Sequence, residues 1–416
     1  MIDNNFKAQN LRKEGQLFRI SYLLISILFS TSLIAGPEDW RIALCISDDP
    51  QHQMNVSWRT MMELDNPQVQ LAINSPLVKF YKDHRDFIAD VEAVVLSDSS
   101  VVFAYSSEMK NLTPGTAYAY RVGSKEKWSE WFVFETAKIN DDSFRFLFFG
   151  DPQNGLISHV PRAFREGYKE APDAAFLALA GDLVSVPGID QQWEDLFHAG
   201  SWIFGQIPLV PVMGNHSYYI NGKWLDHYSP YWRPHFTLPE NGLATLPETN
   251  YSFRYQGLLF VVLNGSEQLE EQAVWLDELL GQTESKWVIL SMHQPLYSTG
   301  QGRDGAKRRA ALLSVIDKYE VDLVLQGHDH TFGRTFPLRN GQRVKGRQKG
   351  TVYINSVSGS KQYKLEPAVK DVFAVTDADK QFYHVVNVQP SKLTVMSYTV
   401  DGELKDEIII KPSNMR

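Results

Sequence analysis

The run Val324-Leu325-Gln326-Gly327-His328-Asp329-His330 is a short apolar stretch that stops at a glycine and is followed by two histidines with one residue between them. A strand ending in this way presents imidazoles at the carboxyl edge of an α/β sheet, a common place for metal ligands. Alone it decides little, because loop histidines are frequent and most bind nothing. Four earlier strand-like runs also end in ligand-type residues, three of them after a glycine. They are Phe146-Leu147-Phe148-Phe149-Gly150-Asp151, Phe176-Leu177-Ala178-Leu179-Ala180-Gly181-Asp182, Leu209-Val210-Pro211-Val212-Met213-Gly214-Asn215-His216 and Val288-Ile289-Leu290-Ser291-Met292-His293. If the five runs are strands of one sheet, their tips bring these carboxylates, the amide and the imidazoles to one place.

Working outward, the segments between these runs carry helical periodicity: 158–170, 191–199, 267–280 and 307–319. Strands alternating with helices predict an α/β domain of layered sheets flanked by helices, over 143–411. Its tail adds strand-like runs at 352–355, 383–388, 393–399 and 408–410. The stretch 217–257 is the exception, long and rich in Tyr, Trp, Pro and His. It follows directly on one ligand tip and is expected to form part of a substrate wall.

Before residue 138 the pattern is all β. About seven short strand-like runs lie between Ile42 and Glu135, separated by turn residues, which predicts an immunoglobulin-like or fibronectin type III-like sandwich over 36–138. Lys138 to Ser143 is short and polar and reads as the linker. Residues 1–19 hold four basic side chains against two acidic ones and precede the apolar run Ile20 to Ala35. That layout predicts a signal peptide or retained N-terminal membrane anchor over 1–35, and a chain that is exported, either secreted or periplasmic.

The chain has 416 residues, 43% of them hydrophobic, and a net charge of −8, which argues against a nucleic-acid partner held through its phosphates. Its one cysteine, Cys45, can build neither a disulfide framework nor a thiolate cluster, and reads as a small buried hydrophobe. Any metal must therefore be held by carboxylate, amide and imidazole groups, a donor set suited to Fe, Mn or Zn. Each of these groups also has a plainer use. Asp151 and Asp182 could be turn or cap residues, and the basic run Gly300 to Arg309 could be a solvated face rather than a phosphate site.

Taken together, Gly150-Asp151-Pro152-Gln153, Gly181-Asp182, Gly214-Asn215-His216, His293 and Gly327-His328-Asp329-His330 resemble the ordered motifs of the calcineurin-like metallophosphoesterases. The preceding β-sandwich narrows the resemblance to the purple acid phosphatase branch. It implies two metal ions, with Asp182 as the bridge, Asp151 and His330 on the first and Asn215, His293 and His328 on the second. It implies hydrolysis of a phosphorylated small molecule or other phosphoester by an activated water, with His216 steadying the phosphoryl oxygens or protonating the leaving group. A phosphomonoesterase is expected; a phosphodiesterase or a binding protein with a decayed site are the alternatives.

Three positions depart from the family pattern. Ser185 stands where a purple acid phosphatase carries the tyrosine that colours its iron, Gln153 where the wider superfamily often has a histidine, and Ser217 where an acidic residue usually follows Asn-His. Asp329, between the two histidines, is expected to face away from the metals.

Overall fold

In the computed structural model, residues 40–413 are described except 126, 141, 221, 346–347 and 368–370. The signal or anchor expected over 1–35 lies outside them. Among the described residues no helix is long and apolar enough to cross a membrane.

Two sheets stack face to face. The first, ten-stranded, contains Phe144–Phe149, Leu177–Leu179 and Leu209–Pro211 as parallel neighbours, with the antiparallel tail Phe382–Gln389, Lys392–Thr399 and Leu404–Ile410 on one side. The second, seven-stranded, runs Tyr251–Tyr255, Leu258–Leu263, Trp287–Met292, Leu323–Gln326, Val352–Asn355, Phe332–Thr335, Phe373–Asp377. Expecting five tips on one sheet is corrected here: three of the runs lie in the first sheet and two in the second. All five are apolar on both faces, so each fits an interior strand of either layer and local pattern does not choose between them. The layers are joined by aromatic rings. Phe146 meets Phe260 edge-on at 5.8 Å, Phe176 meets Phe253 at 5.3 Å, and Phe332 stacks on Phe382 at 4.5 Å.

The helices cover the outer faces. Val160–Glu170 buries Val160, Ala163, Phe164 and Gly167, spaced three and four apart, and carries Pro161 in its first turn, where the missing N–H costs nothing. Asp190–Gln206 continues past the end expected at Ala199; Gly200 does not stop it, and Ser201, at φ 45°, marks a kink before the buried Ile203 and Phe204. Leu269–Gly281 and Ala306–Lys318 cover the second sheet.

The N-terminal strands form a sandwich, but one of its layers is not separate. Ala43–Cys45 pairs in parallel with Leu209–Pro211, at Cys45 and Leu209, and antiparallel with Met54–Thr60, which pairs in turn with Val101–Met109, and that strand with Asp90–Val95. The ten-stranded sheet therefore runs from the α/β layers into the sandwich without a break. Cys45 is fully buried at that seam, and burial pushes its thiol up to about 12, the behaviour of an inert core residue. Arg85–Ile88, Gln68–Ile73, Ala117–Ser124 and Phe132–Glu135 make the facing layer. Arg41 clasps Asp190 with two hydrogen bonds of 2.8 and 2.9 Å, and Arg59 adds one of 2.5 Å, tying the start of the second helix to the sandwich.

The long stretch 217–257 only partly meets its expectation. Trp232, His235, Phe236, Leu238 and Leu246 are buried, and Thr237 bonds Asn55 and Ser57 of the sandwich. Its aromatic content is core packing from Trp232 onward, which leaves the segment next to His216 as candidate wall.

Candidate metal centre

Gly181, Gly214 and Gly327 precede their ligand-type residues because other ligand groups occupy the space a side chain would need. A Cβ on Gly214 would lie 2.1 Å from Asp182 Oδ1, and one on Gly327 2.2 Å from Asp151 Oδ2. The residues that follow are strained in turn. Asp151, Asp182, His328 and His330 hold φ of 31°, 44°, 71° and 49°, in a region that costs a non-glycine residue about 1–3 kcal/mol and that concentrates at functional sites.

The structure brings all the sequence-predicted residues together. Nε2 of His293 lies 3.0 Å from Asp182 Oδ2, 3.1 Å from Asn215 Oδ1 and 3.2 Å from His328 Nδ1. Donor atoms of Asp182, His293 and His328 all fall within 4.8 Å of one another, a spacing that could hold a cation. A second group adjoins it: Asp151 Oδ1 is 3.8 Å from His330 Nε2, and Gln153 Nε2 is 3.0 Å from the same nitrogen and 3.4 Å from Asp182 Oδ2. Asp182 thus stands between the two groups.

Backbone carbonyls orient three of the rings. Nδ1 of His293 donates to Ala180 O at 2.7 Å, Nδ1 of His330 to Lys361 O at 3.1 Å, and Nδ1 of His216 to Ser185 O at 2.6 Å. In each case Nε2 is left facing the centre, the arrangement that fixes the tautomer of a ligating histidine. His216 Nε2 is 3.8 Å from Asp182 Oδ2, and its backbone N–H donates to Asp182 Oδ1 at 2.9 Å. Asp329 does face away, accepting from Ser298 Oγ, Thr299 N and Gly300 N.

The electrostatics fit a cation. Burial pushes Asp151 up to about 8, with Asp182 adding to the rise against the pull of His293. Burial opposes ionisation of Asp182 too, yet His293 and His216 hold it below the ordinary carboxylate range. Burial works against a charge on His293, but the two carboxylates overcome it and raise it to about 9. A proton on His293 thus does for the carboxylates what a metal ion would do better. Burial keeps His328 and His330 neutral, down at about 2 and about 3, the form that ligates. Asp151 Oδ1 is buried without a hydrogen-bond partner, an orphan that a cation would satisfy. Oxygen and imidazole donors in this number fit Fe, Mn or Zn.

Some neighbours were not legible. The carbonyls of Ala180, Ser185 and Lys361 leave no mark in a sequence. Arg303 and Arg308, expected on a solvated face, are half-buried: Arg303 donates to His328 O at 3.2 Å and lies over the Tyr363 ring at 4.7 Å, and Arg308 Nε donates to Gly265 O at 3.1 Å.

Comparison with known proteins bears on both parts of the chain. Residues 144–332 match the family model described as calcineurin-like phosphoesterase, and residues 40–136 match that of the purple acid phosphatase N-terminal domain. Acid phosphatase type 7 of Homo sapiens is 23% identical over 419 residues, covering 91% of this chain and 92% of that protein. An uncharacterised protein of Mycobacterium tuberculosis is 26% identical over 331 residues, 69% of this chain; the match spans only 60% of that relative's length. The solved structure of a purple acid phosphatase from yellow lupin seeds superposes with a TM-score of 0.77 at 18% identity, covering 91% of this chain and 75% of that one, and so shares its fold. With both domain models matched in order over a fold of that kind, the chain carries a calcineurin-like phosphoesterase domain behind a purple acid phosphatase N-terminal domain.

Proposed function

We propose that this chain is an exported, metal-dependent phosphoric ester hydrolase that acts on phosphomonoesters. The observation that carries the reading is Asp182, shared between two groups of buried donors, one of which contains an unsatisfied carboxylate oxygen. In it Asp151, His330 and Asp182 would hold one ion, and Asp182, Asn215, His293 and His328 the other. Two such ions would supply positive charge for the phosphate and acidify a water.

The protein's own groups do the rest. The Ser185 carbonyl turns His216 so that Nε2 faces the centre, where it can bond a phosphoryl oxygen or give a proton to the leaving oxygen. The strained loops behind Asp151, Asp182 and His328 fix the donors before substrate arrives, so little reorganisation remains at the moment of reaction. The functional boundaries we propose are 36–138 for the sandwich and 143–411 for the hydrolase domain. The basic n-region and apolar run of residues 1–35 support export.

One observation favours a second reading, a binding protein with a decayed centre: the Gln153 amide points Nε2 at His330 Nε2, 3.0 Å away, where a ligand would be more useful. A panel of phosphomonoester and phosphodiester substrates with the metal-loaded protein tests both. Faster turnover of monoesters is expected. Preference for diesters would move the reading to a phosphodiesterase, and no turnover of either would favour the binding protein.

A further inference from the structure

Asn215 and His216 sit on one 3-10 turn, Asn215–Tyr218, beyond the tip of a first-sheet strand, and the last residue of that turn is held from the second sheet. Tyr218 is buried, and its hydroxyl donates to Glu267 Oε1 at 2.7 Å and accepts from Asn264 Nδ2 at 2.8 Å. Both hydrogen-bonding roles of the phenol are therefore filled. Burial pushes its pKa up and the bond to Glu267 adds to the rise, so it remains a donor. The support behind it is rigid. Asn264 and Glu267 lie just beyond Leu258–Leu263, and the fully buried Gln272 accepts from Asn264 N and donates to the carbonyls of Asn264 and Glu267, each at 2.8 Å.

Glu267 reaches the other end of the same loop as well. From Tyr218 the chain enters the hairpin of Tyr219–Ile220 and Lys223–Trp224 and comes back at His227, whose Nδ1 lies 3.1 and 3.3 Å from the two Glu267 oxygens. Leu225 N closes the loop onto Tyr218 O at 2.7 Å. Although Glu267 stands just before the helix Leu269–Gly281, that helix has no side-chain cap; the carboxylate is turned to the loop instead. A satisfied buried network of this kind fixes one arrangement of the groups it joins.

We propose that Glu267 is a positioning residue for the hydrolysis, acting through Tyr218 on the turn that carries His216. This deepens, and rests on, the reading of the centre as a phosphohydrolase. The Ser185 carbonyl sets the rotation of the His216 ring from the first sheet, at 2.6 Å, and Glu267 sets the backbone beneath it from the second. His216 Nε2 is thus located by both layers. Without Glu267 the ring keeps its orientation on a turn that is free to shift, and a shift of about 1 Å in a reacting group can cost about a hundredfold in rate. The loss should fall on kcat more than on KM, because His216 acts as charge moves to the leaving oxygen while the ground-state phosphate is held chiefly by the ions.

The test measures kcat and KM for p-nitrophenyl phosphate at saturating metal in wild type, Tyr218→Phe, Glu267→Ala and Glu267→Gln, and again with each change placed in a His216→Ala background. Tyr218→Phe and Glu267→Ala are expected to lower kcat about 10- to 100-fold with KM changed less than about threefold. Glu267→Gln, whose amide oxygen can still accept from Tyr218, should recover most of that loss. In the His216→Ala background the same substitutions should cost less than about twofold, since the group they position is gone. Equal losses in the two backgrounds, or no loss in either, overturn the proposal. Tyr218→Phe is close to isosteric and keeps the test open if Glu267→Ala does not fold. If wild type turns over no substrate the hydrolase reading fails, and the same cycle is run on the Kd of inorganic phosphate by calorimetry. A loss of affinity of about tenfold that disappears with His216→Ala still supports the positioning role, and an equal loss overturns it.

Discussion

Asp182 Oδ2 lies 3.0 Å from His293 Nε2 and, on its other side, 3.4 Å from the Gln153 amide, so one carboxylate faces both groups of the candidate centre. Removing its charge should therefore affect both ions together. Asp182→Asn is expected to lower kcat/KM for a phosphomonoester by about a hundredfold or more and to reduce the metal bound per chain. Steady-state kinetics with metal analysis of the same sample checks this, and an active variant with full metal content would show that Asp182 does not bridge.

Gln153 should make the first group the weaker metal site. Its N–H faces His330 Nε2 and its oxygen lies 3.4 Å from Ser185 Oγ, so the amide must turn before it can offer a donor atom. Gln153→His should tighten the weaker metal step about tenfold, since imidazole is the better ligand for Fe, Mn or Zn. Metal titration followed by calorimetry gives the answer; identical stepwise affinities in the two proteins would rule the effect out.

Asp190 is predicted to matter for stability alone. It pairs with Arg41 and Arg59, which are 5% and 4% exposed, so Asp190→Ala leaves two buried guanidiniums without this partner. A loss of about 3–5 kcal/mol is expected by denaturant unfolding. A loss under about 1 kcal/mol would mean that water reaches these arginines freely.

Acid sensitivity should be traceable to His384. It is fully buried, Nδ1 against Ser397 Oγ at 2.9 Å and Nε2 against Ser356 Oγ at 2.7 Å, and burial lowers it from 6.5 to about 3. Between those values the unfolded chain takes up a proton that the folded chain does not, so this group's contribution to stability declines as pH falls below about 6.5. Other buried groups titrate in the same range, Glu248 in the opposite sense, because burial raises it to about 7. The comparison with His384→Gln isolates one site. Wild type should lose up to about 1.4 kcal/mol per pH unit relative to the variant between about pH 6 and 4. Parallel stability curves would contradict this.

How much of this was legible depends on where the information lies. The four glycine-terminated runs could be read because glycine and ligand have to be adjacent; Gly214 and Gly327 leave room for the ligands of other loops. Their division between two sheets could not, since strands apolar on both faces suit either layer. The helix over Asp190–Gln206 outran its expected end because burial of Ile203 and Phe204 outweighs the local cost of Gly200. Of the residues around the centre, the side chains showed in the sequence and their supports did not. Ser185 was read as a missing tyrosine, and its carbonyl orients His216. Arg308 was read as solvated, and burial against Gly265 is a tertiary fact.

The central claim is that hydrolysis depends on ions held by this donor set, and it is tested most directly by stripping the protein of metal and restoring Fe, Mn or Zn stepwise. Phosphomonoester hydrolysis and bound metal are measured on the same samples. Activity is predicted to vanish on stripping and to return as bound metal approaches about two ions per chain. Full activity in protein shown to be free of metal would contradict it.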